Sequence, residues 1–196
     1  MKTVLFTILG ILFLFVVLQA FVMNSTSNTE MHQYQVLKRY DAFEIRKYEK
    51  ANFSYVTMDS KSYRGGSGYG FRKLAGYIFG ANEENQKIAM TSPVSMDFAD
   101  STTMMFMIPS EYELEDLPEP NDKDIKFKTI PSKIMAAIQF DGWANDKRIQ
   151  EHKDKLIKAL NKEGINHKGN FSFLGYNPPY EVVDRRNEVV VEVVLN

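Results

Sequence analysis

The chain opens on a nearly unbroken apolar run. From Val4 to Met23 the sequence VLFTILGILFLFVVLQAFVM has only Thr7 and Gln19 as polar interruptions and is apolar on every face. At about 1.5 Å per residue, a run of about 20 residues crosses the hydrocarbon core of a bilayer. Residues 1–23 are therefore expected to be a membrane or export segment, followed by a polar linker at 24–33 and a folded domain at 34–196. A cleaved signal carries small residues around its cleavage site, whereas Leu18-Gln19-Ala20 places a large residue three positions before the cut. An uncleaved anchor is expected, with secretion after cleavage as the alternative.

Past the linker the periodicity changes. Phe43 to Tyr48 and Ala51 to Met58 alternate as strands around a turn at Lys50-Ala51-Asn52. Phe71, Leu74, Ala75 and Ile78 follow the i, i+3, i+4, i+7 rule of a helix ended by Gly80, and Lys87 to Phe98 and Thr103 to Pro109 return to strand character. The unit reads β-β-α-β-β. The second half repeats it, with strands at Ile125 to Ile130 and Lys133 to Phe140 and a helix capped by Asn145 that turns Ile149, Leu156, Ile157 and Leu160 inward. Gly164 ends that helix, and strands at Phe171 to Tyr176 and Glu188 to Leu195 follow. An internal duplication is implied. The expected class is α+β: duplicated β-β-α-β-β units forming one distorted antiparallel β-barrel flanked by two helices, because each unit alone leaves an apolar sheet face bare. Between the halves, the acidic, proline-bearing segment Glu111 to Asp124 reads as a solvated connector.

Composition narrows the chemistry. A net charge of -1 argues against nucleic acid as a partner, and the absence of cysteine excludes disulfides, thiolate metal sites and thiol nucleophiles. Lys2 is the only basic residue before Lys38, which favours a cytoplasmic N-terminus and an extracytoplasmic domain.

One stretch invites a phosphate. GGSGYGFRKLAGYIFGAN, Gly65 to Asn82, places four glycines before the helical stripe. A Walker loop needs Lys followed by Ser or Thr after its last glycine, and the sequence has Gly70-Phe71-Arg72-Lys73 instead. The glycine spacing also departs from the dinucleotide fingerprint, and no βαβ unit surrounds it. The remaining expectation is a flexible loop that turns sharply into the helix.

These residues carry a resemblance. GFRKLAGYIFGANEENQKIAMTSPVSMDF, Gly70 to Phe98, resembles the signature of the SOUL family of haem-binding proteins. Three further stretches resemble the family in order: YDAFEIRKYEKANFSYVTM, Phe140-Asp141-Gly142-Trp143 and GYNPPYEVVDRRNEVVVEV. The resemblance implies a duplicated barrel-like fold with two helices and a tetrapyrrole-binding function, with the first helix bordering the haem cleft.

A porphyrin asks for an apolar slot, cations for its propionates and, optionally, an axial ligand. Leu74, Ala75 and Ile78, with Met90 and Met96 on the following strands, are the candidate slot, though such a stripe also reads as core; Arg72 and Lys73 are the candidate propionate partners. Some family members place a histidine ligand where this chain has Lys47. Of the three histidines, His32 falls in the linker, His167 in an apparent loop and His152 on the inward side of the second helix; none has metalloprotease spacing. The metal ligand, if any, stays open. Glu44, Asp97, Asp141, Glu181 and Glu188 supply carboxylates without a recognisable nucleophile, so a binding protein rather than an enzyme is expected. Arg186-Asn187-Glu188 reads as a structural hydrogen-bonding set. The alternative, by fold analogy, is a small-molecule-binding or hydrolytic protein of the gyrase-inhibitor-like and drug-sensing group.

Overall fold

The computed structural model describes residues 6–14, 17–19 and 29–194. Residues 6–14 and 17–19 are helical. No helix among the described residues is long and apolar enough to cross a membrane, and the rest of the run from Val4 to Met23 lies outside them.

The domain's elements follow the duplicated order. β1 (Tyr34–Arg39), β2 (Glu44–Tyr48) and β3 (Ala51–Met58) precede α1 (Tyr63–Ile78), β4 (Val94–Phe98) and β5 (Thr102–Met107). The second half supplies β6 (Lys126–Ile130), β7 (Lys133–Asp141), α2 (Asp146–Lys162), β8 (Asn166–Gly175) and β9 (Arg186–Val194). Among the described residues, nine strands form one antiparallel sheet, curled into a half barrel, in the order β1-β2-β7-β9-β8-β4-β5-β3-β6. Each half keeps three strands together, and β8 joins β4 at the centre. The first strand of each β-β-α-β-β repeat crosses over: β2 pairs with β7 through Tyr48 opposite Lys133, and β6 pairs with β3 through Ile130 opposite Ala51.

Both helices lie on one face. Leu74, Tyr77 and Ile78 of α1 share a single core with Ile149, Leu156 and Leu160 of α2. Full burial of each such leucine or isoleucine contributes about 2 kcal/mol. α2 obeys its sequence signals, since the Asn145 side chain accepts the Arg148 amide at 3.0 Å and Gly164 ends the helix at φ +67°.

α1 overturns the expected glycine loop. It begins at Tyr63, so Gly65, Gly66, Gly68 and Gly70 are helical. Two of them face the sheet: a Cβ on Gly70 would lie 2.8 Å from Met58 Sδ and 3.2 Å from Met104 Cβ, and one on Gly66 would lie 3.2 Å from Thr102 Cγ2. The missing side chains let the helix sit close on β3 and β5. Its N-terminus is already filled, because the Asp146 carboxylate accepts the Tyr63 amide at 2.6 Å and the Arg64 amide at 3.2 Å, while Ser62 accepts the Gly65 amide. An anion has no open place there.

Two other expectations shift. The strand from Lys87 to Phe98 shrinks to β4, because the Ile88 amide donates to the Ile78 carbonyl at the end of α1 and the Asn82 side chain ties the Tyr77 and Gln86 carbonyls. The segment Glu111 to Asp124 is more than a solvated connector: Leu117 is buried and the Pro118 carbonyl accepts the Tyr77 hydroxyl at 3.0 Å.

Candidate functional site

α1 has two stripes. The inner one takes Leu74, Ala75 and Ile78 into the core, where Met96 is also buried and Met90 packs at its edge. The outer one carries Tyr69, Arg72, Lys73 and Gly76, again at i, i+3, i+4 and i+7. The structure therefore separates the seven candidate residues: Arg72 and Lys73 face outward, and the five apolar ones lie with the core.

The outer stripe forms one wall of an open cleft of about 660 Å³. Asn121, Asp122, Lys123 and Ile125 form the opposite wall. Gly76 keeps the floor flat, since a Cβ there would find only Ala81, 4.0 Å away. Tyr77, at the base, is held by its bond to Pro118, and burial pushes its phenol up to about 12.

Charge gathers at the mouth. Lys73 Nζ donates to Asp122 Oδ2 at 2.6 Å and to Asp124 Oδ2 at 2.7 Å. Those bonds hold the ammonium above its usual range, and the same contact holds the Asp122 carboxyl below its own. Lys73 Nζ also stands 5.2 Å from the centre of the Tyr69 ring. Arg72 and Lys123 line the mouth and make no ion pair with another described residue. The cleft thus offers aromatic surface and cations together, the pairing that a flat, apolar dianion requires.

None of the three histidines lines the cleft. His152 stacks on Phe140 at 4.2 Å and bonds the Arg148 carbonyl; His167 lies in β8 rather than a loop. His32 packs against Tyr48 and Phe53 on the helix-free side, and its burial lowers its pKa. Among the described residues no group of three or more His, Asp or Glu is placed to hold a metal ion.

Arg186-Asn187-Glu188 is a structural set. Glu188 is fully buried and accepts from Arg186 at 2.7 Å and from Arg46 and the Tyr176 hydroxyl at 2.8 Å each. Asn187 donates to the Gly142 carbonyl at 2.7 Å and so fixes the corner before Trp143.

Sequence reasoning missed Tyr69, Tyr77, Lys123 and Ile125. The outer stripe of α1 was present as a periodicity, but the facing wall belongs to a segment whose charges resembled a solubility feature.

Comparison with known proteins agrees with this architecture. Heme-binding protein 2 of Mus musculus is 33% identical over 157 residues, covering 76% of each chain. Heme-binding protein 1 of Xenopus laevis is 31% identical over 156 residues, covering 76% of this chain and 82% of its own. By fold alone the chain is similar to the EcmrR C-terminal domain (TM-score 0.60, 10% identity, 83% of this chain and 99% of that one). It is likewise similar to a hydrolase from Listeria innocua (TM-score 0.56, 10% identity, 81% and 94%). The family model of the SOUL heme-binding protein matches residues 29–192, so the chain belongs to the SOUL heme-binding protein family.

Proposed function

We propose that the protein binds haem or a related tetrapyrrole in the cleft between α1 and the segment from Asn121 to Ile125, as a carrier or buffer without catalysis of its own. The observation that carries this reading is the outer stripe of α1, which brings Tyr69, Arg72 and Lys73 to the edge of a cleft of about 660 Å³ in a chain of this family. That volume lies in the range of small-molecule sites. The ring would lie against Tyr69, Gly76 and Ile125, and the propionates would meet Arg72 and Lys123. With no histidine on the cleft, ring burial and charge outweigh axial ligation.

Titration of the full-length protein with haemin and with metal-free protoporphyrin tests this. Similar affinities are expected. Tight binding of haemin with no binding of the metal-free ring would overturn it.

We also propose that the run from Val4 to Met23 anchors the protein in a membrane with the domain on the extracytoplasmic side. Its length and the single Lys2 ahead of it support this. The protein should then stay with membranes through a carbonate wash, with its domain open to protease from the outer side only. A soluble form beginning near residue 21 would instead identify a signal peptide.

A further inference from the structure

The sheet face without helices holds a second cavity, of about 130 Å³. Tyr48, Phe53, Met105, Met135, Leu174 and Val190 line it. Phe53 comes from β3 and Tyr48 from β2, near opposite ends of the sheet, so this face is the inside of the curl.

Alternation along β4 sends Met96 to the helix-covered core and Ser95 and Asp97 into this groove. Asp97 lies opposite Thr103 on β5 and Ser172 on β8. Neither meets its need: Thr103 shares its hydroxyl with Thr57 at 3.1 Å, and Asp97 Oδ1 is buried without a hydrogen-bond partner among the described residues. A carboxylate oxygen in that position is costly until a donor reaches it.

The other ionisable groups on the groove leave its charge standing. Lys133 is taken by Glu192 at 2.8 Å. The His32 ring contacts Tyr48 and Phe53 and engages the Glu49 carbonyl at 2.8 Å; its burial favours the neutral form. A largely apolar pocket with one carboxylate oxygen that lacks a donor selects an apolar molecule bearing one cation.

We propose that this groove is a second binding site, on the opposite side of the sheet from the α1 cleft, for a small apolar amine whose ammonium donates to Asp97. The size sets the class: an apolar cavity of about 150 Å³ takes a single benzene ring, and a tetrapyrrole is far larger than this space. Tyr48 and Phe53 add aromatic rings to the lining, a kind of surface that also favours a cation. The site is independent of the tetrapyrrole reading, since α1 contributes none of its lining.

The test uses the full chain in phospholipid nanodiscs with labelled methionine methyls, titrated with benzylamine, toluene and benzoate. Benzylamine should shift the Met105 and Met135 methyls saturably, with contacts from its ring protons to both, and benzoate should not. Asp97→Asn should weaken benzylamine at least ten-fold and leave toluene unchanged. The unsubstituted protein already decides the matter: if benzylamine leaves both methyls unmoved, the proposal is wrong. It is equally wrong if Asp97→Asn, with a native methyl spectrum, binds benzylamine as tightly as its parent. Haemin titration of the same variant separates the two sites, because loss of haemin binding in every form would count against the α1 cleft alone.

Discussion

Arg46 of β2 donates to Glu188 of β9 at 2.8 Å, a contact between residues 142 apart in sequence. Both are buried, and Glu188 answers Arg186 with its other oxygen. Neutralising Glu188 leaves two guanidinium groups facing an amide, with only Glu44, 2.7 Å from Arg46, to compensate. Glu188→Gln should therefore destabilise the fold by about 3 kcal/mol in urea unfolding. Glu192→Gln, which loses the more exposed partner of Lys133 and Lys168, should cost less than about 1 kcal/mol. Equal effects would show that the buried cluster has no special standing.

The helical glycines predict opposite signs at neighbouring positions. A Cβ on Gly68 would find only the Arg72 guanidinium, 3.8 Å away, so Gly68→Ala should stabilise by about 0.5 to 1 kcal/mol. At Gly70 the same atom meets Met58 and Met104, and overpacking exceeds the gain in helix propensity, leaving a net loss of about 1 kcal/mol. Thermal melts of the two variants should move in opposite directions.

Alkaline pH should weaken the fold through buried phenols, Tyr48 and Tyr176 together with Tyr77 at the base of the cleft. Burial, reinforced by the Glu188 charge, pushes Tyr48 up to about 12, and burial likewise holds Tyr176 well above its ordinary range. All three must stay protonated in the native state, whereas in the unfolded chain they ionise near pH ~10. Their contribution is full below that value and is lost as pH rises toward 12. The urea midpoint should hold to about pH 9.5 and fall above it. Tyr48→Phe should flatten the fall, and a flat profile in the parent would contradict this account.

At the cleft mouth, Asp122 and Asp124 compete with any anionic ligand for Lys73. Replacing both by Asn should tighten haemin by about 1 kcal/mol, roughly five-fold, and Arg72→Glu should weaken it by a similar factor or more. A porphyrin with esterified propionates should respond to neither change. Fluorescence quenching titrations of the three proteins give the comparison.

Most of the framework was legible from local pattern, and the exceptions share a cause. The inner stripe of α1, the Asn145 cap and the duplicated strand order follow from spacing and propensity within a few residues. The reason for Gly66 and Gly70 lies in Thr102, Met58 and Met104, on strands that periodicity cannot place beside the helix. β1 escaped notice because YQVLKR stays largely exposed, with Leu37 uncovered, so it lacks a clear apolar alternation. Lys73 was legible as a cation, yet its partners sit 49 and 51 residues away. The groove at Asp97 depends on the curl of the whole sheet, which no local signal records.

The crossing of β2 and β6 has a consequence for how the chain is made. As it leaves the ribosome, the first half cannot close: the β1-β2 pair has nothing to join it to the rest of the sheet until β7 has been synthesised, and the outer edge of β3 stays open until β6 arrives. Folding must wait for contacts between distant residues, which makes it slow and leaves strand edges exposed meanwhile. A backbone cut within Glu111 to Asp124 would divide the protein into two pieces, one carrying the β1-β2 pair that only β7 joins to the sheet and the other carrying β6, which only β3 can seat. Two such pieces, produced apart, would find one another as a clasp does, by exchange and not by simple contact.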